Sequence, residues 1–165
     1  MPEKKTVERA RRDKRAGKSP GTQAGEFVHE EIEHVREGKH GAKSTKQAIA
    51  IGLSKARRAG VEVPASKTAS AETRRKAAKD NEAGKQPARK TSATRSKAVK
   101  KTLKKASKST ASKSALSSQT KQAASKRSSA DRSAAATKAA RTKGAAGRSA
   151  AARKAAHTRE AHARH

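Results

Sequence analysis

Between Val28 and His40 the sequence reads VHEEIEHVREGKH, placing three histidines and four glutamates in one short stretch of a chain whose formal net charge is +29. Residues of these types can ligate a metal ion or exchange protons, so spacing decides what this stretch can do. In HEEIEH, His29 and His34 are five apart, which separates them by about 140° around a helix. They cannot chelate one ion from one helical face. The zinc-protease pattern H-E-x-x-H needs its second histidine at position 33, which is Glu33. His40 can join either histidine only through a loop. On the same wheel Glu26, Glu30, Glu33 and Glu37 line one side, and Ala24, Phe27, Val28, Ile32 and Val35 the other. Catalytic carboxylates need burial or a close partner to move their proton affinities apart. A solvent-facing strip offers neither. The expectation is therefore no catalytic residue, no metal ligand and no cofactor. The acidic strip reads instead as a solvated face or a docking strip for cations such as Arg9, Arg11, Arg12, Lys14 and Arg15. As a docking strip it would compete with nucleic acid for the protein's own cations.

The elements that position these residues can be read from punctuation. Thr6–Gly17 is a short charged helix with Glu8–Arg12 and Arg9–Asp13 at i,i+4, and KSPG breaks the chain after it. A second helix is expected from about Gln23 to Glu37, stopped at Gly38. The third has Ser44 and Gln47 as a capping box, Arg57 and Arg58 in its last turn and Gly60 as its stop. It gathers Ala48, Ile49, Gly52, Leu53, Ala56 and Ala59 on one face, whose small central residues suggest close approach to a partner helix. The expected helical core is Phe27, Val28, Ile32, Val35, Ile49, Leu53 and Ala56. VEVP follows as a lid or extended exit.

Charge and composition change at Val63-Pro64. Residues 1–64 carry a net charge of +6, and residues 65–165 carry +23. The large apolar residues lie almost entirely before the boundary. The tail is Ser-, Thr-, Ala- and Lys-rich, and RSAAATKAART (Arg132–Thr142) returns as RSAAARKAAHT (Arg148–Thr158) 16 residues later. A chain this poor in large side chains is expected not to offset roughly 1–2 kcal/mol of backbone entropy per residue along its full length. The resulting expectation is an all-α protein: a charged segment over 1–19, a small helical-hairpin head over 20–64, and a low-complexity tail over 65–165 that is disordered or forms isolated helices. Ser70–Asp80 and the two alanine-rich repeats are the tail's best helix candidates, ordering on contact with a polyanion.

Function follows from the charge. An excess this large seeks polyanions. Duplex DNA is the first candidate, RNA or the ribosome the second, and a protein-interaction module using the head the third, with self-association through the head allowed. The tail's 28 Lys and Arg residues could cover about 28 phosphates, or ~48 Å of duplex. The expected contacts are Lys97, Lys100, Lys101, Lys104, Lys105, Lys108, Lys126, Arg127, Arg132, Lys138, Arg141, Lys143, Arg148, Arg153 and Lys154. One Phe and no Trp or Tyr argue against readers that stack bases on aromatic rings. P-loop, dinucleotide-fold and nucleophile-elbow glycine patterns are missing. There is no apolar run for a membrane span or a signal core, and no membrane-inserting face. The expected location is the cytoplasm, at the nucleoid.

The stretch GEFVHEEIEHVREGKHGAKSTKQAIAIGLSKARRAGV resembles a family of small basic bacterial proteins built around a domain of unknown function. Its core looks like KQAIAI-G/A-LS-x-AR, here Lys46 to Arg57, within a resemblance that covers about Gly21 to Pro64. The resemblance implies a bacterial cytoplasmic origin and supplies no activity and no functional residue. In composition alone the tail is similar to lysine/alanine-rich histone H1-like proteins.

Overall fold

A computed structural model describes residues 2–66, 69–87 and 92–163. Those residues form seven α-helices and one 3-10 turn: α1 (Lys4–Arg15), α2 (Pro20–Arg36), α3 (Thr45–Arg58), α4 (Ala71–Lys85), α5 (Ala93–Lys104), the turn Ser109–Ala111, α6 (Lys113–Ser125) and α7 (Ser129–Ala163). They divide into two compact units, Met1–Gln119 and Thr120–His165. Among the described residues, no helix is long and apolar enough to cross a membrane.

The head's helices start and stop by local rules. Ser19 caps α2, its hydroxyl accepting from the Thr22 amide, and Pro20 takes the first helical position, where its missing N–H costs nothing. The KSPG break is thus also the start of α2. Ser44 accepts from the Gln47 amide at 3.2 Å, while the Gln47 side chain accepts from the Lys43 amide at 2.7 Å. Gly38 and Gly60, the expected stops, have φ of +77° and +87°, left-handed values that a residue with a Cβ adopts only at a cost.

Packing departs from a simple hairpin. α2 lies against both α1 and α3 and also meets the Ser109–Ala111 turn. Small residues make these contacts. α1 turns Thr6, Ala10 and Asp13 inward, and α3 turns Thr45, Ala48, Gly52, Ala56 and Arg57. One apolar cluster joins Ala10, Ala24, Phe27, Ala56, Val61 and Val63, with Val7 and Leu53 against it. The second joins Ile32, Val35, Ala42, Ala48 and Ala111, with Val28 and Leu116 against it. Phe27, Val35 and Ala56 are fully buried and Ile32 nearly so. Val28, Leu53 and Ile49 are only partly buried. The VEVP exit is held down: Arg57 Nε donates to the Val63 carbonyl at 2.8 Å, and Val61 and Val63 are buried.

At Gly52 the α2 and α3 backbones meet. A Cβ there would sit 2.7 Å from the Val28 Cα and 3.0 Å from the Phe27 carbonyl oxygen. Backbone cannot swing aside as a side chain can. Gly52→Ala should therefore destabilise the protein by about 1–3 kcal/mol through overpacking, against a gain of about 1 kcal/mol in helix propensity. Urea unfolding followed by circular dichroism reads the net shift in midpoint.

The tail departs most from expectation. Its described residues are mostly helical rather than disordered, and its low-complexity composition does not mean absence of structure. Its first half packs on the head. α4 lies along α3, with Ala77 buried and Gly84 close against the Arg57 carbonyl. Asp80 accepts from Ser54 Oγ at 2.7 Å and from Arg58 Nε at 2.8 Å. Residues 103–111 seal the end of the α2–α3 hairpin. The Gly41 and Ala42 amides donate to the Leu103 and Ser107 carbonyls, Thr45 Oγ1 to the Thr110 carbonyl and Arg36 Nε to the Ala111 carbonyl. Serine supplies the helix starts: Ser70, Ser92 and Ser128 accept from the amides three residues on, and the Ser128 hydroxyl also donates to the Asp131 carboxylate. Alanine supplies the propensity and lets helices approach closely. A count of large apolar residues overlooks both. The seven α-helices hold 118 of the 165 residues. The free protein should accordingly show a strongly helical far-UV spectrum at low salt, with little helix gained on adding DNA. A large gain would mean that the tail orders only on binding.

Candidate functional site

The fifteen expected cationic contacts fall on α5 and the segment after it, on the α6–α7 turn, and along α7. All fifteen are exposed. Among the described residues none of them is paired with a carboxylate. Head cations behave differently: Arg9, Lys18, Arg36, Lys39, Lys55 and Arg58 each lie within 4 Å of a carboxylate oxygen.

α7 is 35 residues long and has no buried residue. Both copies of the repeat lie in it, on either side of a kink at Gly144, where φ is +67° and ψ +176°. The copies are locally alike. Thr142 Oγ1 donates to the Lys138 carbonyl and Thr158 Oγ1 to the Lys154 carbonyl, both at 2.9 Å. Arg148 reaches back across the kink to the Ala140 carbonyl at 2.7 Å. Arg132, Lys138, Arg141 and Lys143 fall on several sides of the helix at 100° per residue, so the cations do not form one edge.

The acidic strip is not one solvent-facing stripe. With α1 on one flank of α2 and α3 on the other, Glu30 is 6% exposed, and the neighbouring Glu31 is fully buried. Glu26 lies 3.5 Å from Arg9, Glu33 2.7 Å from Arg36 and Glu37 3.0 Å from Lys39. Glu30 accepts from the Glu3 amide at 3.1 Å and from Lys55 Nζ at 3.4 Å. The strip's partners thus all come from residues 1–64. Lys55 Nζ approaches Glu31 Oε2 to 2.6 Å and His40 Nε2 approaches Glu31 Oε1 to 3.3 Å, yet neither contact has hydrogen-bonding geometry, and both Glu31 oxygens lack a hydrogen bond. The Lys55 distance establishes an ion pair; the angles deny both oxygens the directed bond that normally accompanies burial.

Sequence reasoning kept the histidines apart, and the fold reunites two of them. The turn at Gly38 carries His40 back over α2, so that its ring centroid is 6.1 Å from that of His34. His29 is exposed and takes no part. His34 Nε2 lies 3.0 Å from Glu3 Oε1. Hydrogen bonds to His34 and Lys39, with the charge of Lys39, hold the Glu3 carboxyl below its ordinary proton affinity. The missed participants are Glu3, Glu31 and Lys55. Only the i,i+4 reach of Glu30 to His34 was written in local spacing.

The span containing α1, α2, α3 and the exit segment can be placed among known proteins. Residues 4–67 match the model of a family of unknown function, DUF6496. No curated protein and no solved structure matches the chain. The DUF6496 span holds the buried Glu–His–Lys group whole, apart from the Glu3 contact, which lies one residue outside it. The cationic helices α5 and α7 lie beyond it.

Proposed function

We propose that the protein binds duplex DNA without reading its sequence, at the nucleoid, and performs no chemistry on it. α7 supports this reading: a preformed helix that buries no residue, with eight exposed Lys and Arg residues and no carboxylate partner for any of the expected contacts. Such a helix gains nothing from packing, and its like charges repel. A polyanion removes that cost and releases counterions. The kink divides α7 into arms of about 22 and 28 Å at 1.5 Å per residue, each of a width the major groove admits. Cations on several sides suit phosphates rather than base edges, so affinity should be salt-steep and sequence-poor. α5 adds a second preformed cationic surface. The head folds around its own charges and serves as the scaffold.

The test is a gel-shift titration of the full-length protein against duplex DNA, structured RNA and single strands at several salt concentrations. Comparable affinity for unrelated duplexes, falling steeply with salt, supports the reading. Clear preference for RNA moves it to an RNA-associated role, and salt-insensitive binding refutes the electrostatic mechanism. Sedimentation of the free protein reports whether the head also self-associates.

A further inference from the structure

We propose that Glu31, His34 and His40 form a binding site for a divalent transition-metal ion of the zinc class, independent of the nucleic-acid surface. One ligand atom from each residue lies within 4.8 Å of the other two. A tetrahedral ion with bonds of ~2.0–2.2 Å holds its ligands roughly 3.3–3.6 Å apart. His40 Nε2 and Glu31 Oε1 already stand 3.3 Å apart, so only His34 needs a small ring movement.

Four observations point to an ion. First, the Glu31 side chain is 1% exposed, and neither of its carboxylate oxygens has a hydrogen bond. Its counter-charge is the Lys55 ammonium, which leaves the directed bonding of both oxygens unmet, and a coordinated ion would supply it. Second, both imidazoles are oriented from outside. His34 Nε2 donates to Glu3 Oε1, and His40 Nδ1 lies 3.2 Å from the Gly41 carbonyl, which can only accept. That leaves lone pairs on His34 Nδ1 and His40 Nε2, the atoms facing Glu30 and Glu31. A histidine held through its outer nitrogen by a carboxylate or carbonyl is the arrangement that metal ligation uses. Third, Glu30 and Glu31 bring two negative charges and Lys55 only one positive, leaving a negative surplus inside a strongly cationic protein. The Lys55 ammonium is a flexible counter-ion, its side chain 21% exposed, and its stem can withdraw when a dication enters. Fourth, two imidazoles and one carboxylate without a thiolate suit zinc better than calcium or magnesium, which prefer oxygen alone. Three protein ligands leave a fourth position for water.

The test titrates full-length protein with zinc chloride by calorimetry, and with cobalt chloride by visible absorption. One ion per chain is expected, with the cobalt band of a four-coordinate site. Loss of an outer partner typically weakens a metal site by about 10–100-fold. Glu3→Gln should fall in that range, and Glu31→Gln and His40→Asn should lose at least as much. His40 is on a partly exposed loop, so His40→Asn should keep the wild-type far-UV spectrum. Zinc should raise the melting temperature of the wild type and not that of His40→Asn. The proposal is overturned if the wild type takes up no zinc or cobalt. It is equally overturned if uptake persists in His40→Asn and Glu31→Gln but disappears when the tail histidines His157, His162 and His165 are replaced.

Discussion

Lys55→Met is expected to lower the stability of the first unit by about 3–5 kcal/mol, the cost of removing one partner from a buried ion pair. Glu31 is fully buried and Glu30 nearly so, and the Lys55 ammonium lies 2.6 Å from one and 3.4 Å from the other. Without it two buried carboxylates lose the one ammonium that they share. The single variant should unfold at a much lower urea concentration with unchanged slope. Lys55→Met/Glu31→Leu should recover most of the loss, because replacing both partners by apolar groups of similar volume is often neutral. If the double variant is no better than the single one, Lys55 acts by packing of its stem rather than by charge. Zinc offers a separate check. An ion between Glu31 and the histidines should stabilise Lys55→Met more than the wild type, since no ammonium competes for the site.

The second large effect concerns binding. Replacing Arg132, Lys138, Arg141, Lys143, Arg148, Arg153, Lys154 and Arg159 of α7 with glutamine should flatten the salt dependence of duplex affinity. Each lost phosphate contact removes about 0.9 from the slope of log K against log salt, so the slope should fall by about 7 if all eight engage. Wild-type affinity should drop by about 10³–10⁵ between 50 and 200 mM salt, as for proteins making 6–10 phosphate contacts; the variant's should change far less. Stability should barely move, because α7 buries nothing and glutamine keeps good helix propensity. An unaltered slope would place the binding surface on α5 or the head.

The two variants separate what was legible in the sequence from what was not. The three head helices were readable, with the Ser44 cap and the glycine stops, because capping and termination depend on residues three or four apart. The closeness of α2 and α3 was readable at Gly52, because small residues on one face invite it. The acidic strip was misread because a helical wheel assumes one partner, and α2 has α1 on one side and α3 on the other. The order of the tail was missed because its evidence is dispersed. Ser70, Ser92 and Ser128 each sit at a helix start, but in a Ser/Lys-rich tract a cap looks like composition. Ala77 and Ala111 bury as fully as a valine would, yet carry little weight in any hydrophobic count.

The sequence by itself determined the all-helical character, the excess of cations beyond residue 64, the start of α3 and the glycine stops of the head helices. These are set by composition or by neighbours within one helical turn. The tertiary structure alone decided that α4 and the Ser109–Ala111 turn pack on the head and that Glu30 and Glu31 are buried. It alone brought His40, six residues and one reversed turn beyond His34, back to face it. Those outcomes depend on contacts between helices far apart in the chain. Burial and charge pairing are properties of the space between elements, and no periodicity within one element records them.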